Sequence, residues 1–157
     1  MTAVQSAVLV LATLAHGLVA GLFFGFACAV MPGLRGVDDR TFVRVMRRIN
    51  AAILNAWFGA AFAGAPVLTA VALLLALVSG DATALPLVLG LLGSLVVLVV
   101  TFRVNVPLND GLDAAGEPAT AARARFERPW VRWNAVRAVA GTAAIGCACW
   151  ACMLQFA

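Results

Sequence analysis

A chain of 157 residues that is 64% hydrophobic, with a mean hydropathy of +1.01, is too apolar for a soluble domain, in which roughly half of the residues are apolar. It reads as a single integral membrane domain covering residues 1–157. The net charge of +4 comes from eleven arginines with no lysine. They gather in two connecting segments, which makes them topology signals and argues against nucleic acid as a partner.

A bilayer core about 30 Å thick needs roughly 20 helical residues. Apolar runs at 4–30, 51–79, 85–104 and 134–156 meet that need. With their lead-ins they predict helices at 4–30, 39–79, 85–104 and 130–156. The fold class is all-α: an integral membrane four-helix up-down-up-down bundle, with an amphipathic lead-in to the second helix.

In the first helix, Gly17, Gly21 and Gly25 recur at every fourth position. That spacing lets another backbone approach closely, inside the bundle or in a homo-oligomer. His16, the one histidine, falls near mid-membrane. There it forms an interhelical hydrogen bond or lines a cavity. No acidic residue shares its depth, so no metal site is expected, nor a haem held by two histidines. Pro32-Gly33 is expected to break this helix, and Asp38 or Asp39 to cap a new one. From there Phe42, Val45, Met46, Ile49 and Ile53 form an apolar stripe with arginines on the opposite, wet face.

Pro66 lies inside the second helix, where it predicts a kink. The short turn at 80–86 makes the second and third helices antiparallel neighbours. Pro107 is expected to interrupt the third helix between Asn105 and Asn109. Residues 121–126 suggest a short surface helix, and Pro129 marks the start of the fourth membrane helix. Cys147, Cys149 and Cys152 sit near the far end of that helix. Cys28 lies across the membrane from them, too far for a disulfide. The Cys149–Cys152 spacing reads as small packing residues more readily than as a redox pair.

The arginines lie between the first and second helices and around the third connection. This places both connections in the cytoplasm and both termini outside. Composition suggests a bacterial inner membrane. All five asparagines then fall at one membrane level: Asn50 and Asn55 on the second helix, Asn105 and Asn109 on the third, and Asn134 on the fourth, one turn before Arg137. Trp130, Asn134 and Arg137 share one helical stripe, while Trp133 and Arg137 form an i, i+4 pair suited to a cation–π contact. Taken singly, these residues admit ordinary readings. Trp57, Trp130 and Trp133 can form an interfacial belt, Arg137 can snorkel, and asparagines can bond helices together. Together, five asparagines and an inward arginine exceed what anchoring needs. The polar set is a candidate site or a polar clasp.

Gly25-Phe-Ala-Cys-Ala-Val-Met31-Pro32-Gly, Met46-Arg-Arg-Ile-Asn50 and Asn55-Ala-Trp-Phe58 resemble the front half of the anthrone oxygenase-like family of small membrane proteins. Asn105-Val-Pro107-Leu-Asn109-Asp and Trp130-Val-Arg-Trp133-Asn134-Ala-Val-Arg137 resemble its back half. Ala56 departs from the proline that often follows the equivalent of Asn55. The resemblance implies a cofactor-independent oxygenase that converts a lipophilic, anthrone- or quinol-like aromatic with dioxygen. It implies Arg137, Asn134, Asn105 and Asn109 as catalytic residues, with Trp133, Trp130, Trp57, Asn50, Asn55 and His16 around the substrate. His16 or Asp110 would accept the proton. The alternatives are a carrier for a small lipophilic or anionic solute, and a structural partner of a larger membrane complex.

Overall fold

The computed structural model describes residues 3–116 and 118–156, and among these all regular backbone is helical. Seven α-helices form: α1 (Ala3–Gly25), α2 (Met31–Leu34), α3 (Asp39–Ile53), α4 (Ala56–Ser79), α5 (Ala84–Val100), α6 (Val106–Ala114) and α7 (Ala119–Phe156). A π-turn at Phe26–Val30 joins α1 to α2, and another at Thr101–Asn105 joins α5 to α6. Four continuous segments are long and apolar enough to cross a membrane: Ala3–Leu34, Ala56–Ser79, Ala84–Ala114 and Ala119–Gln155. The chain is thus an all-α, multi-pass membrane bundle in which α1 packs on α4 and α7, and α5 packs on α4 and α7.

The prolines do not end helices where the sequence suggests. Pro32 and Pro107 lie inside continuous helical segments. A proline in a helix interior clashes with the carbonyl four residues back. Each of these follows a π-turn, whose extra residue widens the helix at that point. Met31 N–H reaches back to the Phe26 carbonyl, and Val106 N–H to that of Thr101. In this wider register the next donor would be the proline, which has no N–H, so the i→i−5 bonding stops there. The third membrane helix therefore runs ten residues past its expected end, to Ala114. Pro129 likewise starts nothing, because α7 begins at Ala119 and passes through it. Ala122, Phe126 and Trp130, one turn apart on its buried face, hold the helix together there.

The second helix, expected to run unbroken over 39–79, is interrupted at Leu54–Asn55. Leu54 adopts φ −78° and ψ 66°, and Asn55 is extended (φ −129°, ψ 166°). Asn55 caps α4 by accepting from Phe58 N–H at 3.0 Å, and its Nδ2 donates to the Ala52 carbonyl at 2.9 Å. At the start of α3, Asp38 is the expected cap and accepts from Thr41 N–H at 3.1 Å. Hydrogen bonding to Thr41 holds its carboxyl below the usual carboxylate value.

Two of the arginines do more than mark topology. Arg47 of α3 donates to the Leu112 carbonyl at 2.7 and 3.0 Å and to that of Ala115 at 2.9 Å, closing the C-terminus of α6. Arg123 of α7 donates to the Val37 carbonyl at 2.8 Å and to Leu34 and Arg35 at 3.4 and 3.3 Å, closing the end of α2. Orphan carbonyls at a helix end favour cations on both hydrogen-bonding and dipole grounds. Arg123 also pairs with Asp39 at 3.1 Å and Glu127 at 2.7 Å. Between these caps lies a core of Met31, Phe42, Val43, Met46, Leu112, Ala122, Phe126 and Trp130.

The glycines that let helices touch are not mainly the stripe in α1. A Cβ on Gly93 would lie 3.0 Å from the Ala140 carbonyl oxygen and 3.1 Å from Ala144 Cβ. On Gly141 it would lie 3.4 Å from Ala20. Gly17 meets the Ile145 side chain at 3.2 Å, whereas Gly21 and Gly25 have nothing within 4 Å among the described residues.

Candidate functional site

Beside the two π-turns, which contribute Phe26, Thr101 and Asn105, the helices do not close. A cavity of about 750 Å³, counting the space that opens to the surface, is lined from all four membrane segments. Leu22, Phe23 and Phe26 contribute from the first and Phe58 from the second, joined by Ile49, Asn50 and Ile53 of α3 and by Leu54 at the break. The third gives Thr101, Asn105, Val106, Asn109, Asp110 and Asp113, and the fourth Trp130 and Arg137. The volume and mostly apolar lining suit a small lipophilic molecule.

Arg137 is buried and faces this space. Its Nη2 donates to Asn134 Oδ1 at 2.9 Å and its Nη1 to Thr101 Oγ1 at 3.4 Å. The guanidinium carbon lies 4.2 Å from the Phe23 ring centroid and 5.4 Å from that of Trp130. Both ring contacts are of cation–π type. Among the described residues no carboxylate comes within ion-pairing distance of it. A buried cation compensated only by neutral dipoles and rings favours negative charge arriving beside it.

Three buried polar atoms have no hydrogen-bond partner among the described residues: Asn50 Nδ2, Asn105 Oδ1 and Arg137 Nε. All three belong to side chains that line the cavity. Leaving such a group unsatisfied costs about 1–3 kcal/mol each. Two are donors and one is an acceptor. The Asn105 amide is oriented by its Nδ2, which donates to the Trp130 carbonyl at 3.4 Å.

The remaining polar residues support this wall. Asn134 donates to the Phe23 carbonyl at 3.0 Å while its oxygen holds Arg137. Asn109 accepts from Trp130 Nε1 at 2.9 Å and so fixes the indole, which also meets Phe26 at 5.3 Å between ring centroids. Asp110 and Asp113 are exposed at the rim.

Five of the expected site residues do not line the cavity: Asn134, which stands behind Arg137, and four that lie elsewhere. Trp57 is 88% exposed on the outer surface, one helical step away from Phe58, which takes the wall position. Trp133 is half-buried but not in the lining, and Arg137 rests on Trp130 and Phe23 in its place. Trp130, at i−7 from Arg137, shares its stripe, whereas Trp133 at i−4 is turned aside by the buried face of α7. Asn55 is spent on the cap of α4. His16 is buried beside a small separate niche, with its Nε2 2.9 Å from Thr69 Oγ1. The Thr69 hydroxyl donates to the Ala65 carbonyl at 2.7 Å, so His16 Nε2 is the donor of the pair. His16 therefore bonds α1 to α4 and is not placed to take a proton in the main cavity.

Phe23 and Thr101 lie outside the quoted motifs, and Phe26 and Phe58 lie inside them with no role assigned, yet all four line the cavity. Among the described residues, no three His, Cys, Asp or Glu side chains are grouped to hold a metal ion.

The family model described as anthrone oxygenase matches residues 54–147. This span begins at the break in the second helix and contains Asn105, Asn109, Trp130, Asn134 and Arg137. No curated protein and no solved structure matched the chain. With more than half of its length matched, this chain belongs to the anthrone oxygenase family.

Proposed function

We propose that this protein is a cofactor-independent oxygenase of the bacterial inner membrane, with both termini outside, acting on a flat hydroxy-aromatic ketone of the anthrone type. The observation that carries this reading is the buried Arg137, which lines the cavity with no carboxylate in ion-pairing distance and no partner for its Nε among the described residues. Asn50 Nδ2 and Arg137 Nε would receive the substrate oxygen, and Asn105 Oδ1 a neighbouring hydroxyl. Trp130, Phe23 and Phe26 would flank the rings. Asp110, the rim carboxylate that replaces His16 in this role, would take a proton from the methylene carbon. The resulting enolate gains stability from donors that need no reorganisation in a site shielded from water.

An electron-rich enolate can pass an electron to dioxygen, and the two radicals then join in a carbon–oxygen bond. Loss of water leaves a ketone. One methylene and one dioxygen thus give one carbonyl and one water, so electrons balance without another reductant. The chain's own contribution is to bind and orient the ring, hold the oxyanion and accept the proton.

The test is oxygen uptake and anthraquinone formation by purified protein in nanodiscs, after treatment with chelator. One water formed per anthrone and per dioxygen supports the reading. Saturable binding without product favours the carrier alternative.

A further inference from the structure

The two halves of the chain repeat each other. In α3, Phe42, Arg44, Arg48 and Asn50 are spaced as Phe126, Arg128, Arg132 and Asn134 are in α7. Each first member of a half carries a π-turn, one further residue and a proline: Phe26–Val30, Met31 and Pro32, then Thr101–Asn105, Val106 and Pro107. The equivalent residues Phe42 and Phe126 meet each other edge-on, with ring centroids 6.2 Å apart. So do the equivalent residues Asp39 and Arg123, at 3.1 Å. Positions that correspond in two halves and also touch each other lie on a two-fold axis. Each half also supplies the arginine that caps the other half's helix end, Arg47 on α6 and Arg123 on α2.

The halves differ where the cavity is. Val30, Leu34, Met46 and Ile53 in the first half correspond to Asn105, Asn109, Trp130 and Arg137 in the second. The backbone differs as well. The second helix breaks at Leu54, whereas the corresponding Ala138 lies within unbroken α7. Leu54 is 81% exposed and Ala138 only 7%. Correspondingly, the α1–α7 interface is more extensive than the α4–α5 interface that pairs with it under the repeat.

We infer that the cavity opens sideways to the bilayer through a slot at the Leu54 break, on one side only of a duplicated two-hairpin fold. The slot lies between Ile53, Leu54 and Phe58 around that break and Thr101, Asn105 and Val106 on the third membrane segment. Exposed apolar side chains beside it include Trp57 and Phe102, next to the exposed polar Asn55 and Arg103. The carboxylates Asp110 and Asp113 line the opposite, water-side rim. A lipophilic ligand dissolved in the membrane reaches Arg137 without crossing water. The occupant assumed here rests on the proposed function, although the slot itself does not.

Two measurements test this. In nanodiscs, a dihydroxyanthraquinone probe is followed by quenching of tryptophan fluorescence. Leu54→Trp should slow its association and dissociation about tenfold each. Val139→Trp, on the lipid-facing surface of α7, should change neither rate. Unchanged rates in Leu54→Trp, or equal slowing by Val139→Trp, would overturn the slot.

If the wild type binds no probe, the substrate reading fails, and the slot is tested without a ligand. With the four native cysteines replaced by alanine, Thr101→Cys should react with a bilayer-soluble alkyl maleimide. Adding Leu54→Trp should slow that reaction, and Ala138→Cys should stay unreactive. Labelling of Thr101→Cys by a charged, impermeant maleimide alone would show that the cavity opens to water past Asp110, and would overturn the inference.

Discussion

Arg137→Met removes the guanidinium while keeping most of the side-chain volume, and it separates a reaction site from a polar clasp. The structure supplies both sides of the stability change. Asn134 Oδ1 loses its 2.9 Å partner, which costs about 1–3 kcal/mol for a buried acceptor. Against that, a buried cation without an anion is no longer held out of water, a relief on the order of several kcal/mol. The apolar methionine also keeps its contacts with Phe23 and Trp130. The expected outcome is a folded protein whose unfolding free energy lies within about 2 kcal/mol of wild type. Catalysis has no such offset. Loss of a preorganised oxyanion donor costs about 3–4 kcal/mol, which is roughly a 10²–10³-fold fall in kcat. Anthraquinone formation in nanodiscs and thermal unfolding of the same preparation give the two readings. Turnover close to wild type would refute the oxyanion role. So would a variant too unstable to purify that Arg137→Lys restores, because then the arginine holds the bundle together and little else.

Asp110→Asn should lower kcat by about 10²–10⁴, the range for loss of a general base, whereas His16→Gln should leave turnover within about twofold; steady-state kinetics decides between them. Asn105→Leu removes a buried acceptor with no partner, so it should raise stability by about 1–3 kcal/mol, less the weak bond to Trp130, while weakening binding of a dihydroxyanthraquinone in a titration. Gly93→Leu must displace the Ala140 carbonyl and Ala144, 3.0 and 3.1 Å from its Cβ, and should cost about 1–3 kcal/mol or more. Gly21→Leu meets nothing within 4 Å and should leave thermal unfolding of the protomer unchanged.

Hydropathy and arginine placement made the four membrane segments legible, because length and apolarity are summed over some twenty residues and tolerate local error. The Asp38 cap and the end at Ser79 were legible too, but the helix limits at the prolines and at Leu54 were not, because each depends on a local exception. Pro32, Pro107 and Pro129 are strong breakers in an isolated helix, and each is accommodated by its neighbours: two by π-turns, the third by the packed face Ala122–Phe126–Trp130. The break at Leu54 has the opposite character. Ala56 stands there in place of a proline, and an ordinary Leu-Asn pair stops the helix because Asn55 caps α4 from an extended backbone. The repeat is hidden for a similar reason. The stretch from Pro107 to Phe126 is longer than that from Pro32 to Phe42, and the residues that differ between halves are the ones that draw attention.

The sequence posed site and clasp as alternatives for the same residues, and hydrogen-bond satisfaction divides them. Asn55, Asn109 and Asn134 use their side chains on named protein partners. They close a helix, orient an indole and bridge α7 to α1. Asn50, Asn105 and Arg137 each keep one buried polar atom open. A clasp gains nothing from an open atom, since each one lowers the stability that a clasp exists to supply. A binding site needs such atoms, because a ligand can complete only those bonds that the protein has left unmade. The clasp residues are also adjacent to the open ones: Asn134 holds Arg137 directly, and Asn109 fixes the ring beside it. Held this way, the Arg137 guanidinium keeps its direction without a ligand, and preorganisation of that kind is the condition for stabilising charge as it develops.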